Sequence, residues 1–513
     1  MSFHKRIIVI LILSILVFST PVIRGNSEAA VGKWEVFELT LTTTNSYSNE
    51  YTDVMLTATF TSPTNNTIVL PGFWDGGDTW KVRMAPNEIG MWTYVTSSND
   101  GQLDNNSGQF ECVASGKKGF IQVNPSDPYK FQYTDGTPFF WMGETSWHLY
   151  SDNVDYATEF KDYIDRMSSQ HFNNIHAALD VRALNYGHEV GEPFVGDNLD
   201  RINPAYFQNV DMKVEYIVSK DMVAGLFLSW AQRFIQFSRP QFERYETYAI
   251  ARYAAYNVYW VIAGEFEEES TSSEYAYHGN IIDQTDPYDH PISIHTLNTN
   301  APEFGNDSWL TYVMHQNGEQ DSTISLQNLL NQLGRSDIDP INPDVLVNVA
   351  DGNSLYTDVQ ADRTYDKPVV NAEFGYEAYD GWNNRTGRTT PDTVRKLAWN
   401  LVMAGGFFTY GMDKTYKVFD KNDMTNDWDL PAQELGGSDS MKLLYEFMTG
   451  TKWWEMSPDN SVIDSGDAVA LVNPGIEYVV YLRSGSSVSV DLSAVSGNLK
   501  VKWFDTKDGD TFS

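Results

Sequence analysis

The sequence has 513 residues, enough for roughly three domains of ordinary size, and 42% of them are hydrophobic, so a large core can form. Its 35 lysines and arginines against 69 aspartates and glutamates give a formal net charge of −34. This charge argues against a nucleic-acid partner and against an anionic membrane surface, because both repel an acidic protein. The single cysteine, Cys112, excludes an intramolecular disulfide framework. We expect no metal ion and no other cofactor.

The N-terminus has the pattern of a targeting segment. Lys5 and Arg6 precede an apolar run that ends at Phe18, and small and polar residues follow. A basic start with a short apolar core is typical of a secretory signal and too short for a membrane anchor. Residues 1–25 are therefore predicted to be a signal peptide. Its removal would leave a secreted, periplasmic or cell-surface protein that makes no membrane contact.

Residues 31–115 have an all-β pattern. Short runs of strand-forming residues, such as residues 54–60, alternate with turn clusters, such as residues 75–78. This alternation predicts an Ig-like β-sandwich. The segment 72–94 is dense in tryptophan and glycine, and its rings either bind a sugar or, the commoner role, fill the core.

A helical pattern over residues 241–257 leads into the short apolar run of residues 259–263, which ends in Gly264 and Glu265. A helix that precedes a fully buried strand is the repeat of a parallel α/β sheet. Seven similar runs between residues 119 and 447 predict a (β/α)8 TIM barrel. The eight predicted strands are 139–142, 172–179, 225–230, 259–265, 291–295, 309–316, 368–373 and 407–411.

After the predicted barrel the pattern returns to β. Four short strand-like runs lie between Ala468 and Phe504. They predict a small C-terminal β-sandwich domain over residues 455–513, so that the barrel is flanked by a β-domain on each side.

Glu265 and Glu373 stand at the ends of the fourth and seventh predicted strands. The carboxyl ends of barrel strands carry the chemistry in this fold, and a glycoside hydrolase needs two carboxylates across one bond. We predict Glu265 as the general acid and Glu373 as the nucleophile. Either residue alone is as readily explained as a solvated loop residue, but the pair is not. Residues 267–269 are three further glutamates, predicted to form a solvated acidic loop, with one of them as an alternative acid.

Other side chains that follow predicted strands are candidates for the walls of a sugar-binding subsite. Each is alternatively a packed or solvated loop residue. These candidates are Trp147, Asp180, Arg182, Trp230, His295, His315 and Tyr410.

One run carries a specific resemblance. Residues 135–147, with the sequence Asp-Gly-Thr-Pro-Phe-Phe-Trp-Met-Gly-Glu-Thr-Ser-Trp, resemble the opening strand and loop of the apiosidase-like glycoside hydrolases, the DUF4038 family. The segments 203–207, 286–295 and 367–377 agree with that family. The N-terminal part resembles the DUF5060 sandwich that often precedes such barrels, and the C-terminal part resembles a domain named for collagen binding.

The resemblance implies a carbohydrate-active barrel with one acid at the end of strand four and a second carboxylate at the end of strand seven. In apiosidases the strand-four acid is an aspartate after glycine, whereas here it is Glu265. The longer side chain alters the reach of the acid, so the resemblance does not establish apiose as the sugar.

The expected function is therefore that of a secreted, retaining glycoside hydrolase that cleaves O-glycosidic bonds in side chains of plant or algal cell-wall polysaccharides. Its expected partner is a polysaccharide or oligosaccharide. The alternative is a secreted carbohydrate-binding or matrix-binding protein with a non-catalytic barrel. Two carboxyl groups that face each other in an open, aromatic-lined cleft would favour the enzyme.

Overall fold

The computed structural model describes residues 30–151, 155–184, 191–269, 271–316, 324–325, 346–347, 352–377, 390–412, 436–484 and 487–512. The predicted signal peptide, residues 1–25, lies outside these ranges. Among the helices in the described ranges, none combines the length and the apolar composition that a membrane span requires.

The N-terminal part contains two sheets that pack face to face. Inward residues of the strands alternate with exposed ones, as expected for sheets with one buried face: Leu56, Ala58 and Phe60 are buried on a single strand. Trp80 and Trp92 are almost fully buried, so these rings fill the core. One sheet contains Val31–Gly32, Leu56–Thr61, Thr67–Pro71, Gly90–Ser98 and Ser107–Val113, and the other contains Phe37–Thr42, Phe73–Gly76 and Thr79–Met84.

The central part confirms the predicted TIM barrel. Eight parallel strands pair in the order five, four, three, two, one, eight, seven, six. The sheet closes between strands five and six, where the Thr311 amide donates to the Ile292 carbonyl over 2.9 Å and the Ser293 hydroxyl donates to the Tyr312 carbonyl over 2.9 Å. The strands are Met142–Thr145, Asn174–Ala178, Val223–Phe227, Val258–Val261, Ile292–Ser293, Val313–His315, Val369–Asn371 and Phe407–Tyr410.

A helix follows each barrel strand and covers the outside of the sheet. In the helix after strand seven, the Thr390 side chain accepts from the Thr393 amide and Pro391 lies in the first turn. The eight helices are Lys161–Ser169, which continues a π-helical turn Tyr156–Phe160, then Pro204–Ser219, Arg239–Tyr253, Ser272–Thr285, Ala301–Phe304, Gly352–Asp362, Pro391–Met403 and Gly436–Thr449.

The first barrel strand begins three residues later than predicted. The apolar run after the Asp135–Gly136 turn is divided between two sheets. Pro138–Phe139 pairs back on Phe131–Tyr133 in a hairpin whose third strand is Ile121–Val123, and only from Met142 does the chain join the barrel. Glu144, predicted in the following loop, therefore lies within the strand and is fully buried.

The C-terminal part is built from short antiparallel strands. It packs on the barrel helix Pro391–Met403 through Trp399, whose ring stacks on Tyr481 at a centroid distance of 5.4 Å. The strands are Ser457–Pro458, Ala468–Asn473 and Glu477–Leu482 in one sheet, Ile463–Ser465 with Ser489–Val490, and Trp503–Phe504 with Thr511–Phe512.

A buried ion network joins the sandwich to the barrel. Arg83 of the sandwich lies 2.6 Å from Asp211, on the helix that follows barrel strand two. Arg252, on the next barrel helix, lies 2.7 Å from Asp211 and 2.7 Å from Asp75 of the sandwich. Although burial raises it, the charges of Arg252 and Arg83 lower the net pKa of Asp211 below its usual value. Each charge in the network is therefore matched in a region from which water is excluded.

Replacing Asp211 by Ala should destabilise the protein by about 3–5 kcal/mol, because it removes the buried anion that two guanidinium groups share. Chemical denaturation at neutral pH measures this change. The control is Glu38→Gln, since Glu38 pairs with the same Arg83 but is one-third exposed, and this change should cost less than about 1 kcal/mol. Equal effects of the two substitutions would contradict the role given to the network.

Candidate active site

Glu265 follows the fourth barrel strand, and its carboxylate is held by an indole. Trp230, at the end of strand three, donates from Nε1 to Glu265 Oε2 over 3.2 Å. Gly264 makes this contact possible, because a Cβ at that position would overlap the Trp230 ring. The glycine that precedes Glu265 is thus a packing requirement of the site.

The backbone of Glu265 is strained. Its φ of 49° and ψ of 51° lie in the left-handed region, which glycine adopts freely and other residues adopt at a cost of about 1–2 kcal/mol. The side chain is half-buried. Strain of this kind is concentrated at functional positions, where the surrounding structure holds the residue in place.

Glu373 follows the seventh strand and is held by a phenol. The Tyr376 hydroxyl donates to Glu373 Oε1 in a short hydrogen bond, and the Glu373 amide donates to Asn371 Oδ1 over 3.1 Å. Glu373 is 5% exposed. The hydroxyl of Tyr376 therefore holds the carboxylate, and the Asn371 side chain holds the backbone of Glu373, at the carboxyl end of the barrel.

Three aromatic side chains connect the two carboxylates, and we call them the aromatic bridge: Trp230, Trp147 and Tyr376. The rings of Trp147 and Trp230 pack edge to face, with centroids 4.9 Å apart. The Trp147 indole donates to the Tyr376 hydroxyl over 3.1 Å. The bridge thus runs from Glu265 to Glu373 without a break, and both carboxylates belong to one site.

His295 lies against the aromatic bridge. Its ring centroid is 5.8 Å from that of Trp147 and 5.6 Å from that of Trp230. The residue is fully buried, and this burial lowers the pKa of His295 to about 3. The imidazole is therefore neutral near pH 7, and a neutral ring presents one donor and one acceptor.

The structure brings three of the seven candidate subsite residues, Trp147, Trp230 and His295, together with Glu265. It engages the others in ion pairs and hydrogen bonds of their own. Asp180 is fully buried and pairs with Arg233 over 2.9 Å. The other three pairings are Arg182 with Asp197 at 3.2 Å, His315 with Asp362, and Tyr410 with Glu377.

The prediction of a solvated acidic loop after Glu265 is wrong for Glu267 and Glu268, which are 8% and 2% exposed. The turn Phe266–Glu268 folds the loop against the residues that follow strand five. There the Leu297 amide donates to both Glu267 oxygens over 3.1 and 3.0 Å. Burial nevertheless raises the pKa of Glu267 to about 8.

A second group of buried carboxyls lies beside strands one and eight and was not predicted. Glu144 accepts from the Tyr163 hydroxyl, and Glu377 accepts from the Tyr410 hydroxyl and from the Gly437 amide over 3.2 Å.

Tyr376, which holds Glu373, was also not predicted. Its sequence signal is a tyrosine three residues past a strand-end glutamate, close enough to turn back onto it. Within the part of the chain that the structure describes, no cluster of three or more histidine, cysteine or acidic side chains has the arrangement of a metal site.

Two glutamates that follow strands of a closed parallel barrel suit a glycoside hydrolase, which needs two carboxylates across one bond. The model of the apiosidase-like catalytic domain matches residues 126–455, and the DUF5060 domain of unknown function matches residues 30–99. The chain belongs to the apiosidase-like family, and it is a glycoside hydrolase on that ground.

Solved structures agree with this fold. A protein described as a candidate glycoside hydrolase from Bacteroides vulgatus is 21% identical, with a TM-score of 0.66 over 87% of this chain and 84% of that chain. A glycoside hydrolase family 5 protein from the same species is 22% identical, with a TM-score of 0.62 over 77% of this chain and 86% of that chain. These identities show a shared fold. No curated protein matches the chain.

The Glu267→Gln variant should remove one component of the pH dependence of stability. A carboxyl whose pKa rises on folding stabilises the protein fully below its unfolded pKa of about 4.5 and loses that contribution as pH rises through about 8. Glutamine keeps an oxygen acceptor for the Leu297 amide but does not ionise. The free energy of unfolding of the variant minus that of the wild type should therefore be higher at pH 8.5 than at pH 5 by about 1 kcal/mol or more.

Chemical denaturation at pH 5, 7 and 8.5 gives the comparison. Glu269→Gln, two residues further along and more exposed, is the control and should keep the wild-type slope. Parallel pH profiles for the wild type and Glu267→Gln would contradict the prediction.

Proposed function

We propose that the protein is a secreted, retaining glycoside hydrolase in which Glu265 is the acid and base and Glu373 is the nucleophile. The observation that carries the proposal is the aromatic bridge, which ends on both carboxylates. In a retaining enzyme the two carboxyl groups lie about 5–5.5 Å apart, against roughly 6.5–9.5 Å in an inverting one. We propose the retaining arrangement, which the azide experiment below tests.

The different partners of the two carboxylates support their different roles. A hydrogen bond from the Tyr376 hydroxyl stabilises the charged form of Glu373, as a nucleophile requires. Glu265 is half-buried, and we propose that the negative charge of Glu373 favours its protonated form. A carboxyl that keeps its proton near neutral pH is what protonation of a leaving oxygen requires.

In the first step, Glu373 attacks the anomeric carbon while Glu265 gives its proton to the glycosidic oxygen, and the leaving alcohol departs. The covalent ester formed at Glu373 removes the charge that raised the proton affinity of Glu265. Glu265 then accepts a proton from water, whose oxygen attacks the anomeric carbon and releases the sugar. The two roles of Glu265 follow from this change of charge at Glu373.

The substrate we propose is an O-glycosidic side chain of a plant or algal cell-wall polysaccharide. The family supports a carbohydrate substrate, and the signal-like N-terminus supports secretion. Position 265 is a glutamate here, whereas the corresponding acid of apiosidases is an aspartate. A screen of such glycans with analysis of the products identifies the sugar.

Glu373→Ala should abolish turnover on the natural substrate without loss of fold, because the carboxylate contributes nothing to the apolar core of the barrel. Added azide should restore part of the activity and yield a glycosyl azide of inverted configuration. Glu265→Ala should lose natural substrates but still cleave aryl glycosides whose leaving group needs no proton. Product analysis by NMR and rates on both substrate types measure these outcomes.

The matched control is Glu377→Gln. Glu377 is a carboxyl in the loop after strand seven and is held by Tyr410. Its replacement should leave the two-step mechanism intact. Near-wild-type activity of both alanine variants on the natural substrate would show that the pair is misassigned. A wild-type protein that cleaves no glycan would favour the alternative, a carbohydrate-binding protein with a non-catalytic barrel.

Tyr376→Phe should lower kcat by roughly 10–100-fold with a small change in KM. The substitution removes a hydrogen bond to a charged group, worth about 1.5–3 kcal/mol. Steady-state kinetics on an aryl glycoside measure the effect. Tyr410→Phe deletes the same hydroxyl at Glu377 and serves as the control, with little effect on kcat expected. The reverse order of effects would place the nucleophile at Glu377.

A further inference from the structure

A cleft of about 440 Å³ lies where the sandwich meets the barrel. Its sandwich wall contains Trp34 and Glu35, and its barrel wall contains Tyr256 and Asn257, which precede the fourth strand. Since Glu265 follows that same strand, the cleft lies at the opposite end of the barrel from the candidate active site. A ligand in this cleft would be held away from the catalytic carboxylates.

Aromatic side chains form much of the wall. Trp34 and Tyr133 are half-buried, and the Trp34 ring lies 5.1 Å from that of Phe120, which supports it. Trp34 has a φ of 65°, a rare conformation for a bulky residue, and its amide donates to the Pro86 carbonyl over 2.8 Å. The structure therefore holds this ring at the cleft despite an unfavourable backbone, which is typical of functional positions.

Charged side chains of both signs surround these rings. The lining includes two lysines, Lys117 and Lys118, and three carboxylates, Glu35, Glu215 and Asp221. In a chain with a net charge of −34 this lining is close to neutral. It supplies both donors and acceptors for hydroxyl groups, and it lacks the excess positive charge that a nucleic acid or other polyanion requires.

The position, size and lining are those of a ligand site, since such sites measure about 300–1,000 Å³, occur at domain junctions and combine aromatic walls with a few polar groups. A sugar ring has apolar C–H faces and a rim of hydroxyls, which match a half-exposed tryptophan and mixed charges. We propose that this cleft is a non-catalytic binding site for an uncharged segment of a polysaccharide. The inference rests on the proposed function for the identity of that polysaccharide as the substrate.

The test is affinity electrophoresis of the full chain in native gels that contain soluble xyloglucan, galactomannan or arabinan. The Glu373→Ala variant is the parent, so that the polymer stays intact. At least one of these polymers should retard the parent, and adding Trp34→Ala should weaken binding about tenfold or more, since loss of a central aromatic anchor has effects of that size. Lys118→Ala changes an exposed residue and should weaken binding about threefold or more.

Trp454→Ala is the matched control, because Trp454 is a partly exposed tryptophan that does not line the cleft, and it should bind like the parent. With Glu373 intact, Trp34→Ala should hydrolyse a small aryl glycoside at the wild-type rate. If Trp34→Ala lowers the melting temperature, Lys118→Ala decides the outcome. The proposal is overturned if none of the three polymers retards the parent, or if Lys118→Ala binds like Trp454→Ala. If the wild type cleaves no glycan but the protein binds a polymer through Trp34, the proposal for this cleft stands and the proposed hydrolase function is overturned.

Discussion

The pairing of Asp211 with Arg83 and Arg252 fixes the sandwich on the barrel. A buried ion pair contributes little net stability when compared with well-packed apolar residues, but it tolerates few alternative arrangements, because any other docking would leave a charge buried alone. The network therefore sets the relative position of the two parts. The cleft between them exists with its present walls because of that position.

At the other end of the barrel, position is set by aromatic contacts. Each of the two proposed catalytic carboxylates is held by an aromatic donor, Trp230 for Glu265 and Tyr376 for Glu373, and Trp147 contacts both donors. Rings have few rotatable bonds, so a carboxylate held this way loses little further freedom when a substrate binds. The bridge explains how side chains from separate loops keep one geometry.

The sequence predicts the barrel well because fully buried strands are continuous apolar runs, and the strand-end rule then identifies Glu265 and Glu373. It misplaces the first strand because a hairpin turn at Asp135–Gly136 captures part of the run, and that pairing depends on contacts with Phe131. The rule that functional side chains follow barrel strands also predicts only the edge of the sheet at which a residue lies. It does not predict the direction in which the side chain points. Asp180 shows the difference, since it follows strand two but is directed to Arg233.

The burial of Glu267 and Glu268 could not be predicted from the sequence, for a related reason. Three adjacent glutamates are usually solvated, and here the environment of Glu267 is set by Thr296 and Leu297, which are remote in the chain. Tyr376 was missed because its role arises only when the loop after strand seven turns back on Glu373. Long-range contacts of this kind leave no local pattern.

The left-handed backbone at Glu265 bears on how such barrels diverge. Glycine adopts that conformation without strain, so a single change from glutamate to glycine would relieve the fold while deleting the acid. Selection for stability alone therefore favours loss of the proposed acid at this position. A barrel that no longer needed hydrolysis would therefore be one substitution away from losing the proposed acid with less strain in its backbone.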